Sequence, residues 1–151
     1  MKTLLLAALA ALTLSACASD PYSTRIRVAG EFDDVRDALR LAIEGRGLNI
    51  NHENQIAGML DRTGRDLGAT RKVYSGGEQF EFCSAKLSRA MMEADPHAIT
   101  LCPYIVSVYR ITGEDGVYIA YRKPPKTGDA ATDQALAEVE ALLDGIIEDA
   151  R

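Results

Sequence analysis

FCSAKLSRAMMEADPHAITLCPYIVSVY, residues 82–109, decides how this chain folds. It opens at the end of a strand. Ser84 has a hydroxyl suited to the position just before a helix. Leu87, Ala90, Met91 and Ala94 then share one helical face, and Met92 falls off it. Asp95-Pro96 stops that helix, because the residue before a proline disfavours the α region. From Leu101 to Thr112 both faces are apolar. Ile105, Tyr109 and Ile111 lie on one, Tyr104, Val106 and Val108 on the other, which makes this strand central in its sheet.

Downstream, Gly113-Glu114-Asp115-Gly116 reads as a tight hairpin turn, and Val117 to Arg122 returns antiparallel. Pro124-Pro125 ends the sheet. A last helix is expected from about Asp129 to Asp149, with Leu136, Val139, Leu143, Ile146 and Ile147 on one face. Upstream, Val73 to Cys83 reads as two strand pieces around Ser75-Gly76-Gly77. Ile56 to Lys72 is punctuated by Gly58, Gly64 and Gly68 and reads as a solvated, loosely helical connection. Its Arg62, Arg65, Arg71 and Lys72 would alternatively form a basic patch for an anionic group.

Thr24 to Phe32 alternates as a half-buried strand. Asp33 or Asp34 is expected to cap the next helix. Val35, Ala38, Leu39, Ala42 and Ile43 form its apolar face, and Gly45 and Gly47 end it. Leu48 and Ile50 start another alternating strand. The order β-α-β, then strands interrupted by a short helix, then α, predicts an α+β fold. Its two layers are a mainly antiparallel sheet and helices packed on one face.

The 151 residues fit one domain, and a 47% hydrophobic composition allows a real core. The net charge of −5 argues against nucleic acid as a partner, since that binding rests on cationic side chains neutralising phosphates.

The N-terminus reads as an export signal. Met1-Lys2-Thr3 is a short positive start, and Leu4 to Leu14 is apolar except for Thr13. That run is shorter than the ~20 residues of a spanning helix and matches a signal peptide. Leu14-Ser15-Ala16-Cys17 resembles a bacterial lipobox, which implies cleavage before Cys17 and acylation of it. Residues 1–16 are then the signal, 17–23 a lipidated tether and 24–151 a single domain. Several acyl chains give stable membrane attachment. Ala18 after the cysteine favours, by analogy with Gram-negative lipoprotein sorting, the outer membrane facing the periplasm.

The segment Val35 to Leu48, then Met91-Met92-Glu93-Ala94-Asp95-Pro96, then Leu101-Cys102-Pro103-Tyr104-Ile105 running into Val108-Tyr109, resembles domain-of-unknown-function family 302. The resemblance covers about Ile26 to Lys123. It implies an α+β fold and a homodimer, and no activity. The cysteines at 83 and 102 depart from the usual pattern.

Cys83 and Cys102 are the pair for which chemistry is expected. In an exported protein they suit a disulfide, which closes a loop worth roughly 3 kcal/mol. Two other readings compete. Cys83 precedes a helix N-terminus, where a thiolate is favoured for redox work, but no C-x-x-C is present. Cys83, Met92 (or Met91), His97 and Cys102 are also candidate soft ligands for copper. His52 and His97 are otherwise expected in solvent. No nucleophile–base constellation, phosphate loop or cofactor motif is present, so an enzyme is not indicated and no cofactor is expected. The expectation is a lipid-anchored binding or interaction module for an unidentified protein or small molecule. The alternative is a thiol-redox or copper-handling protein using Cys83 and Cys102.

Overall fold

The computed structural model describes residues 20–151, so the export signal, Cys17 and the start of the tether lie outside the described residues. In chain order the elements are β1 (Ser23–Val28), α1 (Phe32–Gly45), β2 (Ile50–Asn54), α2 (Ile56–Asp66), β3 (Tyr74–Phe82) and α3 (Ala85–Ala94). A 3-10 turn (Pro96–Leu101), β4 (Tyr104–Ile111), β5 (Val117–Arg122) and α4 (Ala130–Asp149) follow. The five strands form one antiparallel sheet in the order β1-β5-β4-β3-β2. The α+β architecture is the one expected, with β4 in the middle of the sheet.

Strand alternation sends Phe80, Phe82, Tyr104, Val106, Val108, Val117 and Ile119 to one face. None of them is more than 4% exposed. Against them pack Val35, Leu39 and Ile43 of α1, Met91 of α3, and Leu136, Val139, Leu143, Ile146 and Ile147 of α4. Burying each large side chain of this kind stabilises by about 1.5–3 kcal/mol. α4 touches both α1 and α3. These three helices cover one face.

Two adjacent glycines separate the faces. A Cβ on Gly76 would lie 2.7 Å from the Phe32 ring of α1, whereas one on Gly77 would meet Ala57 of α2 at 3.4 Å. α2 therefore leans on β3 from the side opposite α1. No residue of α2 is buried, in keeping with its reading as a solvated connection.

Local signals explain most boundaries. Ser84 caps α3, accepting from the Leu87 N–H at 3.4 Å, and Asp129 caps α4 through the Thr132 N–H at 2.8 Å. Gly113 and Gly116 hold φ of +86° and +81° in the β4–β5 hairpin, a region glycine enters without steric cost.

Four boundaries differ from expectation. β1 ends at Val28, and Phe32, expected at the end of that strand, opens α1 instead. The residue preceding α1 is Glu31, with no side-chain cap; Asp33 and Asp34 sit in the first turn, where the helix dipole favours carboxylates. β3 is one strand whose register shifts between Tyr74 and Gly76. The 3-10 turn occupies the ground before β4, because the Asp95 carboxylate accepts from the His97 N–H at 2.9 Å and proline fits the first helical position.

Candidate functional site

The uncovered sheet face is built in rows. Across β2, β3, β4, β5 and β1, register aligns Asn54, Gln79, Ser107, Ala120 and Arg25. The neighbouring row aligns Gly77, Tyr109, Tyr118 and Arg27. Gly77, Ser107 and Ala120 are small, so the face is hollow where they meet and is walled by larger residues around them. The resulting concavity is part of a larger pocket of about 760 Å³ that continues around the sheet edge toward residues 100–103 and Pro124-Pro125. Ile56, Ile105, Tyr22, Tyr74 and Tyr109 form its sides, with Arg25, Arg122 and Lys123 at its rim. Met91, Leu136, Val139 and Leu143 back it from the core, but none exceeds 3% exposure, so the accessible part is the uncovered face.

Its chemistry is aromatic and polar, with a cationic edge. Tyr109 stacks on Tyr118 at 5.3 Å between ring centroids and meets Tyr74 edge-on at 5.7 Å. Burial pushes the Tyr109 phenol above its usual range; the nearby Arg25 charge opposes this, and Tyr74, Tyr118 and Tyr22 add to it. The Gln79 amide donates to Ser107 Oγ at 3.1 Å on the floor. Arg25 pairs with Asp20 at 2.7 Å, and Lys123 Nζ donates to the Asp20 carbonyl at 2.7 Å. Arg122 is exposed and makes no ion pair among the described residues. A planar or aromatic molecule with a negative group fits this set: rings to stack on, an amide and a hydroxyl below, cations at the edge.

The second region is the end of the β3–β4 pair. Phe82 stands opposite Tyr104, so Cys83, just past β3, and Cys102, just before β4, are cross-strand neighbours. They are two free, half-buried thiols rather than a disulfide, near enough for each to feel the other. From α3, Ser88 Oγ lies 3.1 Å from the Tyr104 hydroxyl and 3.7 Å from Cys102 Sγ. Burial, with the Cys102 thiol adding, pushes the Cys83 thiol up to about 11. In the free protein this favours the neutral thiol over the thiolate at Cys83, with a backbone hydrogen bond at Tyr104 acting the other way.

The other candidate ligands do not assemble with the thiols. His97 is exposed on the 3-10 turn, and Met92 packs against the core. Among the described residues no group of three or more His, Cys, Asp or Glu side chains could hold a metal. Arg62, Arg65 and Arg71 point to solvent, and Lys72 pairs with Asp61 at 3.3 Å. The hollow was not anticipated from sequence. The signal for it was β4, apolar on both faces in a chain whose amphipathic helices suffice for one.

The family model described as Domain of unknown function DUF302 matches residues 24–150. A crystal structure of an uncharacterized conserved protein DUF302 from Bacillus stearothermophilus is similar, with a TM-score of 0.72 at 15% identity. The match covers 87% of this chain and 100% of that one. At that identity the likeness is one of fold. No curated protein matches the chain.

Proposed function

Given that the chain belongs to the DUF302 family, whose name assigns no activity, we propose that it is a binding module of the cell envelope. In this reading the hollow face of the sheet is the ligand seat. One observation carries the proposal: the sheet face away from α1, α3 and α4, touched only by α2 at one end, is floored by Gly77, Ser107 and Ala120 and walled by tyrosines, with Arg25, Arg122 and Lys123 at its rim. The ligand class is a small planar anion with an aromatic part. Tyrosine faces supply large contact area at low entropic cost, and the arginines supply charge at the edge.

The anchor belongs to the same proposal. The lipobox pattern at Cys17 supports acylation and outer-membrane attachment. No helix among the described residues is long and apolar enough to cross a membrane. The six tether residues after Cys17, Ala18 to Ser23, reach ~20 Å at most, which would hold the ligand seat close to the bilayer. Labelled palmitate should appear on the chain and vanish in Cys17→Ala; absence of label on the unaltered chain would remove the anchor.

The seat is tested by NMR on nitrogen-15-labelled protein carrying Cys17→Ser, titrated with naphthoate. Saturable shifts are expected at the amides of Gln79, Ser107, Tyr109 and Ala120. Shifts confined to other residues, or none, would refute the seat. Movement of the same signals on dilution of the protein alone would replace the small molecule with a second copy of the chain.

A further inference from the structure

We propose that Cys83 and Cys102 together hold one soft monovalent metal ion, Cu(I), between two thiolates. This site is independent of the hollow face as a ligand seat.

Position comes first. The sheet register and α3 bring the two thiols together from either side of a helix, 19 positions apart in the chain. Both are half-exposed, so an ion can enter and be handed on. Ser88, whose hydroxyl sits between Tyr104 and Cys102, orients the Cys102 sulfur as an outer-layer partner orients a ligand.

Ligand count then selects the metal. Structural zinc takes four ligands, and no third His, Cys, Asp or Glu joins these two among the described residues. Calcium and magnesium require oxygen ligands. Soft thiolates select Cu(I), and a closed-shell monovalent ion is satisfied by two of them. On binding, each S–H bond breaks and a sulfur–copper bond forms in its place. Two protons pass to solvent and copper stays monovalent, so no oxidant or reductant is needed. Forming a disulfide instead would remove two electrons and require an oxidant, and the two fates exclude each other.

The test uses the full chain with Cys17→Ser, so that only these two thiols titrate. The reduced protein is titrated anaerobically with Cu(I) against bathocuproine disulfonate. One Cu(I) per chain is expected, with a thiolate-to-copper charge-transfer band. Cys83→Ser and Cys102→Ser should each abolish both, with circular dichroism checking that at least one stays folded. Ser88→Ala should keep the stoichiometry and weaken binding about tenfold. Failure of the reduced chain to withdraw copper, or full binding in either folded serine variant, would overturn the site. So would a Cys83–Cys102 disulfide in protein alkylated at the moment of lysis.

Discussion

On the covered face of the sheet, Phe80, Val106, Val108 and Ile119 show no exposed surface. One residue along on the same strands, Gln79, Ser107, Tyr109 and Tyr118 reach solvent. Identical backbone thus supports two chemistries, one governed by packing and one available for recognition. The difference arises because α1, α3 and α4 present apolar stripes to one side only, while α2 touches the other side at a single end of β3. A half-buried tyrosine on an uncovered sheet therefore contributes little to the core and remains available to a partner.

The largest effect should fall on the covered face. Phe80→Ala should cost about 3–5 kcal/mol, seen as a lower urea midpoint; a loss under about 1 kcal/mol would mean that face is not the core.

Gly76 and Gly77 give a sharper contrast, being adjacent and on opposite faces. Gly76→Ala drives a methyl into the Phe32 ring and should destabilise by about 1–3 kcal/mol. Gly77→Ala meets only ordinary contact and should stabilise by about 0.5 kcal/mol through the unfolded chain. Equal effects in chemical denaturation would erase the distinction between the faces.

The smallest effect concerns the rim of the covered face, where Arg40 lies over the Phe80 ring and grips Glu53 at 2.6 Å and 2.7 Å. Hydrogen bonding from Arg40 lowers the Glu53 carboxyl below its usual range, against burial. A lowered carboxylate stabilises above its unfolded value and loses that contribution as pH falls through the folded one. With both side chains a third exposed, the gain stays below about 1 kcal/mol. The urea midpoint of Glu53→Gln should trail the unaltered chain at pH 7 and converge with it in acid; a gap that widens in acid would reverse the sign.

Much of the fold was legible in sequence because its signals are local. Ser84, Asp95-Pro96 and Gly113 with Gly116 set boundaries through their own backbone preferences, and the stripe Leu136, Val139, Leu143 announced α4. The missing side-chain cap at Glu31 and the 3-10 turn depended on competing contacts within a few residues, where several endings have similar energies. The thiol pair was legible as a pair because one helix and one turn separate its members. The hollow was not, since Gln79, Ser107, Ala120 and Arg25 align only after β1 inserts beside β5, a pairing about 95 positions apart in the chain.

The uncovered face is the proposed recognition surface. Its most direct test is calorimetric titration of naphthoate into the Cys17→Ser chain and into the same chain carrying Tyr109→Ala, with melting temperatures measured alongside. The expected result is an affinity loss of at least about tenfold, with melting shifted by only a few degrees because one aromatic contact is worth about 0.5–1.5 kcal/mol. Undiminished affinity in a folded Tyr109→Ala chain would contradict it.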